Sequence, residues 1–97
     1  MRTICKIKHI VDEKEDGLDY HVLTCVMIGG KVEKYVCFFS IFWIRDRIGK
    51  FINMDTFSQT DSRSKVNKEH RNLNILYSIL PATGIDIFRA RKKYGKD

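Results

Sequence analysis

The sequence predicts an α+β domain: a three-stranded antiparallel meander followed by two to three helices, in the order β-β-β-α-α-α, with the helices in a single layer on one face of the sheet. Three observations predict it. Residues 1–40 hold three segments rich in Ile, Val, Tyr, Phe and Cys with short-period alternation. Residues 41–97 carry apolar positions at helical spacing, punctuated by Ser40, Pro81 and Gly95. The chain has 97 residues, 43% hydrophobic and 31% charged, which suffices for one core and not for two. One domain is expected over 1–97, with the sheet in 1–40 and a helical, basic remainder in 41–97.

The three strand segments are Arg2–Val11, Asp19–Ile28 and Lys31–Phe39. Asp12-Glu13-Lys14-Glu15-Asp16-Gly17 reads as a polar turn, and Gly29-Gly30 suits a tight two-residue hairpin because glycine tolerates positive φ. A register that sets Cys5 opposite Cys25 and His9 opposite His21 puts Cys5, Ile7, His9, Leu23, Cys25 and Met27 on one core face. The two-residue turn adds Val32, Val36 and Phe38 to that face. The other face then carries Lys6, Lys8, Tyr20, Thr24, Tyr35 and Phe39.

Ser40 can cap a first helix, since Ile41, Ile44, Ile48, Phe51 and Ile52 recur at helical spacing; the alternative is a strand that runs on to Ile44. Asn53–Ser62 reads as loop. A second helix starts near Ser62–Ser64, carries the stripe Val66, Leu73, Leu76, Tyr77 and Leu80, and stops at Pro81. Thr83 caps a third helix through Tyr94, with Asp86 placed for a capping box and Gly95 as the stop.

Charge is the most informative feature. From Ser62 to Asp97 nine Lys/Arg meet three acids, whereas from Met1 to Asp61 nine meet nine, so the whole net charge of +6 lies in the last third. A segregated charge points to a surface that meets something anionic. The cluster Arg89, Arg91, Lys92 and Lys93 ends the third helix, where the helix dipole favours cations. The cluster Arg63, Lys65, Lys68 and Arg71 begins the second helix, where it does not, so these four charges most need an anionic partner.

Other motifs have plainer readings. Leu80-Pro81-Ala82-Thr83-Gly84 resembles a sortase wall-anchoring signal over five residues, but no export peptide precedes it and only Ile85, Ile87 and Phe88 separate it from the basic tail. Helix stop and new cap explain the same letters. Cys5, Cys25, His9 and His21 resemble a Cys2His2 set, yet four residues of strand span about 13 Å, too far for one zinc. Buried reduced thiols at Cys5, Cys25 and Cys37 are expected, with no metal. Asp12–Asp19 lacks the ligand spacing of a calcium loop.

No nucleophile elbow, P-loop, HExxH or Asp…Glu-x-Lys nuclease core occurs, so neither catalysis nor a cofactor is expected. The N-terminus has no signal-peptide core, and the longest apolar run, Tyr35–Ile44, is too short to cross a bilayer. A cytoplasmic protein that does not engage membranes is expected. Abundant Ile and Lys with Ala only at 82 and 90 is what AT-rich coding produces, as in many phages, plasmids and low-GC bacteria.

The functional expectation is a non-enzymatic binding protein that contacts nucleic acid, or a nucleoprotein complex, mainly through phosphates. Arg63, Lys65, Lys68, Arg71, Arg89, Arg91, Lys92 and Lys93 would carry it, joined by Lys6 and Lys8. The order of elements resembles the AP2-like sheet readers of DNA, as an analogy of architecture alone. The segment around Pro81–Gly84 also resembles a helix-turn-helix, but that alignment puts Pro81 inside a helix and Lys93 in the core. The alternative is a protein-protein inhibitor or adaptor of the anti-restriction, anti-CRISPR or host-takeover type. It would bind an acidic host or phage protein through Phe42, Trp43, Arg45 and Arg47, and the same patch would serve as a homodimer seam.

Overall fold

The computed structural model describes residues 2–57 and 65–95. It corrects the expected α+β meander: the fold is a closed five-stranded β-barrel with one α-helix on its outside. The strands are β1 (Arg2–Glu15), β2 (Leu18–Met27), β3 (Val32–Cys37), β4 (Phe51–Phe57) and β5 (Asn74–Pro81), and the helix α1 is Gly84–Tyr94. Around the barrel they run β1-β2-β3-β5-β4, and β4 closes back on β1. Three hairpin-linked strands with a fourth returning beside the first make a Greek key. Only β3 and β5 run parallel.

The first hairpin turns at Asp16-Gly17, where both residues adopt positive φ (49° and 79°) as an Asp-Gly turn requires. Its register is Cys5 opposite Met27 and Ile7 opposite Cys25, and a bulge at Lys8 then sets His9 opposite Thr24. Cys5, Ile7, Leu23 and Cys25 do face the core. His9 is exposed and does not face His21, which pairs with Asp12 instead. The bulge also explains why Ile7 and Ile10, three residues apart, both pack inward.

The second hairpin departs from the two-residue reading. Val26 pairs with Val32, and Met27 N–H donates to the Lys31 carbonyl (2.8 Å), so three residues, Ile28, Gly29 and Gly30, form the connection. That one-residue slip moves every side chain of β3 to the opposite face. Tyr35 and Cys37 point into the barrel, while Val36 and Phe38 join Tyr20 and Val22 outside.

Residues 41–52 are not one helix. Ile41 and Ile44 are buried by a short 3-10 helix, Phe42–Arg47, which plugs one mouth of the barrel; β4 starts at Phe51. The expected second helix is also replaced, by a loop and β5. A bulge opposite Asp55 and Thr56 leaves Tyr77 unmatched, so Leu76 and Ile79 both point inward at a spacing of three. A bulged strand thereby imitates a helical stripe. Its proposed start at Ser62–Ser64, with Arg63, lies outside the described residues.

The loop that precedes β5 crosses the outside of β2 and β3. Val66 packs on Tyr20, Val22 and Val36, with Leu73 and Phe38 beside them. The Tyr20 hydroxyl accepts the Asn67 N–H (3.1 Å) and lies 3.1 Å from His70 Nδ1. Arg71 Nε donates to the Val66 carbonyl (3.0 Å) and pins the loop.

Helix α1 forms where the sequence places it. Thr83 Oγ1 accepts the Asp86 N–H (3.1 Å), Asp86 Oδ2 accepts the Thr83 N–H (3.0 Å), and Gly95 ends the helix at φ 87°. From the plugged end it runs back along the β1–β4 wall, burying Ala90. Its last turn meets the β2–β3 hairpin so closely that a Cβ on Gly29 would stand 3.0 Å from the Tyr94 carbonyl oxygen.

This contact makes a prediction. Gly29 and Gly30 share nearly the same φ (99° and 96°), but nothing lies within 4 Å of a Cβ at Gly30. Gly30→Ala should cost only the backbone penalty, about 1 kcal/mol. Gly29→Ala should cost measurably more in urea denaturation, and equal losses would show that α1 does not press on the hairpin.

Candidate nucleic-acid interface

The two basic clusters occupy different walls of the barrel. Arg89, Arg91, Lys92 and Lys93 lie on α1, over β1 and β4. Lys65, Lys68 and Arg71 lie on the loop over β2 and β3, where Lys68 opens a single 3-10 turn (Lys68–His70) rather than the expected α-helix. Arg63 lies outside the described residues. The structure therefore does not join the last third into one patch, and Arg71 is engaged in holding its loop.

The α1 wall is the better-assembled site. Lys6 projects outward from β1, next to Phe51 on β4 in the ladder. Its Nζ lies 4.6 Å from the centroid of the Phe51 ring, and the Arg91 guanidinium lies 5.4 Å from the same ring. Residues 85 positions apart thus bring two cations to one aromatic ring. Farther along α1, Lys92 lies 5.2 Å from the Phe88 ring and Lys93 5.2 Å from the Tyr94 ring. Phe88 and Tyr94 are exposed, so rings and cations alternate on an open surface. Each cation-π contact contributes about 0.5–1 kcal/mol when exposed and leaves the positive charge facing solvent.

Beside this row, Arg2, Ile4, Asn53, Asp86, Arg89, Ala90, Lys93 and Tyr94 frame a shallow hollow. Asp86 is committed to the cap: the Thr83 N–H holds its carboxyl below the ordinary value, helped by the Thr83 hydroxyl and the Asn53 amide. The buried Asn53 Oδ1 has no hydrogen-bond partner among the described residues. Arg2 lies 3.8 Å from Asp55. Arg2, Phe51 and Asn53 carried no signal as site residues, because only the closed barrel makes them neighbours of α1. Lys8 sits exposed on the β1 bulge, across β1 from the helix.

The remaining candidates lie at the plugged mouth. Phe42 is 83% exposed and Trp43 40% exposed, and the Arg47 guanidinium lies 5.8 Å from the Trp43 ring. Arg45 is tied to the acidic first hairpin: its NH2 lies 2.6 Å from Asp12 Oδ1, and His21 Nδ1 lies 2.8 Å from the same oxygen. Beyond Asp12 the hairpin stands clear of the other strands and carries Glu13, Glu15, Asp16 and Asp19. Phosphates are repelled there.

The cysteines form a sulfur-lined core. Cys5 Sγ lies 3.6 Å and Cys25 Sγ 4.0 Å from Met54 Sδ, and all three thiols are unbridged. Cys5 and Cys25 sit diagonally across the hairpin, one two-residue step out of opposition, where α-carbons are about 7–8 Å apart and a disulfide does not fit without backbone movement. The Cys25 side chain and burial push the Cys5 thiol far up, and burial pushes Cys37 up to about 12. Among the described residues no three His, Cys, Asp or Glu side chains gather as a metal site requires. No helix among them is long and apolar enough to cross a membrane.

No protein-family model matches the chain, nor does any curated protein or solved structure.

Two outcomes follow from this geometry. None of the thiols should react with a disulfide reagent at pH 8 in the folded protein, and all three should react in denaturant; rapid labelling of the native state would refute the closed interior. The Asp12 carboxyl is held below its ordinary 3.8 by Arg45 and then His21. A depressed carboxylate stabilises above the unfolded value and loses that contribution as pH falls through the folded one. The gap in Tm between wild type and Asp12→Asn should therefore shrink once pH drops below 3.8, and a gap that persists in acid would overturn the tether.

Proposed function

We propose that the protein is a non-catalytic binding module for single-stranded nucleic acid, which it holds through phosphates on the α1 wall with added stacking on exposed rings. The observation that carries this reading is the convergence of Lys6 and Arg91 on Phe51, in line with Arg89, Lys92 and Lys93. Two cations brought to one ring on an open surface offer a phosphate charge-assisted contacts from both sides of the β1–α1 seam. Among the described residues no ion pair joins a carboxylate to Lys92 or Lys93, while Arg89 faces Asp86. Interleaved rings and cations suit a strand whose bases are unstacked and free to lie on Phe88 or Tyr94.

The architecture adds an analogy. A small five-stranded Greek-key barrel resembles the OB-fold, which binds oligonucleotides on its β2–β3 face. Here loop 65–73 packs on that face and the neighbouring hairpin is acidic, which favours the α1 wall instead.

A second reading rests on Phe42 and Trp43, whose exposure beside Arg47 fits an anchor for a protein partner, as in an inhibitor or adaptor. Under it, Phe42→Ala with Trp43→Ala abolishes the partner complex and leaves strand binding intact.

The test is fluorescence anisotropy with a generic oligonucleotide at about 50 and 200 mM salt. Binding should weaken steeply with salt, and Arg91→Glu with Lys92→Glu should lower affinity by at least about tenfold while flattening the salt slope by about 0.7 per lost contact. Lys65→Glu with Lys68→Glu should change it far less. No measurable binding at the lower salt would overturn the proposal.

A further inference from the structure

The barrel mouth opposite the plug is open. A pocket of about 400 Å³ lies there, within the range of small-molecule sites. Ile4, Met27, Ile28, Tyr35 and Ala90 give it an apolar floor, and Tyr94 from the last turn of α1 stands at its side. Polar groups interrupt these walls: the Asn74 amide at the start of β5, the Thr3 hydroxyl, Arg2, and the pair of Glu33 with Lys31, which meet at 2.9 Å. The hollow framed by Arg2, Arg89 and Lys93 shares Arg2, Ile4, Ala90 and Tyr94 with this pocket. A slot for a flat body thus opens directly onto three cations.

We propose that this mouth is a base-and-phosphate site: one nucleobase enters the pocket beside Tyr94 and Met27, and its phosphate rests on Arg2, Arg89 and Lys93. This deepens the nucleic-acid reading and rests on it. The composition of the pocket selects the occupant. An alkyl chain would fill the apolar floor but would bury Asn74 and Thr3 without partners and desolvate the Lys31–Glu33 pair, which disfavours it. A base offers donors and acceptors along its edge and a face for the tyrosine ring. A phosphate at the pocket edge meets cations already gathered there, and among the described residues the one carboxylate framing that hollow, Asp86, is held by Thr83 while also facing Arg89. The occupant is either a free mononucleotide or the terminal unit of a strand whose remainder continues along α1 toward Arg91 and Lys6.

The experiment is an NMR titration of the 15N-labelled full chain at low salt with adenosine monophosphate, uridine monophosphate, octanoate, and a short oligonucleotide carrying a terminal phosphate. The proposal expects a nucleotide or the oligonucleotide to shift the amides of Met27, Ile28, Asn74 and Tyr94. Tyr94→Ala and Asn74→Ala, both at exposed positions, should each weaken that effect roughly tenfold. Shifts from the mononucleotides alone identify a free nucleotide as the source, and shifts from the oligonucleotide alone identify a strand end. If the oligonucleotide perturbs only Lys6, Phe51 and Arg91, the pocket assignment falls and the wider reading survives. If a mononucleotide binds and the strand does not, the pocket stands and the wider reading falls. Equal shifts from octanoate would overturn the assignment to a base, and no shifts from any probe would overturn both proposals.

Discussion

Everything in this fold depends on three residue pairs. Tyr35 with Asn74, Val36 with Ile75 and Cys37 with Leu76 are the whole of the parallel contact between β3 and β5, and they turn an open sheet into a barrel. Without them the inward faces of β1 and β2 would meet solvent rather than Met54, Leu76 and Ile79. The pairing also decides where β5 ends. Pro81 comes out beside the plug, so the chain that follows can only return along the outside of β1 and β4. The basic helix owes its position to that constraint and not to any strong packing of its own, since Ala90 is its one buried residue.

What the sequence revealed and what it concealed divide along the line between local and non-local chemistry. The cap of α1 was fully legible, because Thr83, Asp86 and Gly95 act within a turn of one another. The first two hairpins were legible as elements, and so was the inward set Cys5, Ile7, Leu23 and Cys25. Their register was not. Whether the connection around Gly29-Gly30 holds two residues or three shifts β3 by one place, and nothing in the letters Ile28 to Lys31 settles which. The largest misreading, a helix over the segment that contains β5, has a specific cause. A bulge at Tyr77 spaces Leu76 and Ile79 by three, which is the mark of a helix, while the pairing partners that make it a strand lie on β4 and β3.

The site was half legible for the same reason. Arg89, Arg91, Lys92 and Lys93 stand out by number and proximity, and Lys6 by its outward place on β1. That Lys6 and Arg91 both meet the Phe51 ring is a fact of barrel closure. So is the separation of Lys65, Lys68 and Arg71 onto another wall, despite a continuous excess of charge along the chain. Phe42 and Trp43 were recognisable as surface aromatics because Ile41 and Ile44 claim the buried side of the same turn.

The acidic hairpin has a consequence for how this protein meets anything charged. Strand β2 runs the length of the barrel, from that hairpin at one end to the turn beside Tyr94 at the other. Its ten residues set the two poles roughly 30 Å apart. The molecule is therefore an electric dipole as well as a cation. Near a polyanion it feels a torque before contact, which swings the acidic tip outward and brings the open mouth in first. If the proposed binding holds, encounter is oriented and the bound molecule has a polarity: each copy on a strand would present its plugged end, with Phe42 and Trp43, to whatever approaches from the solution side.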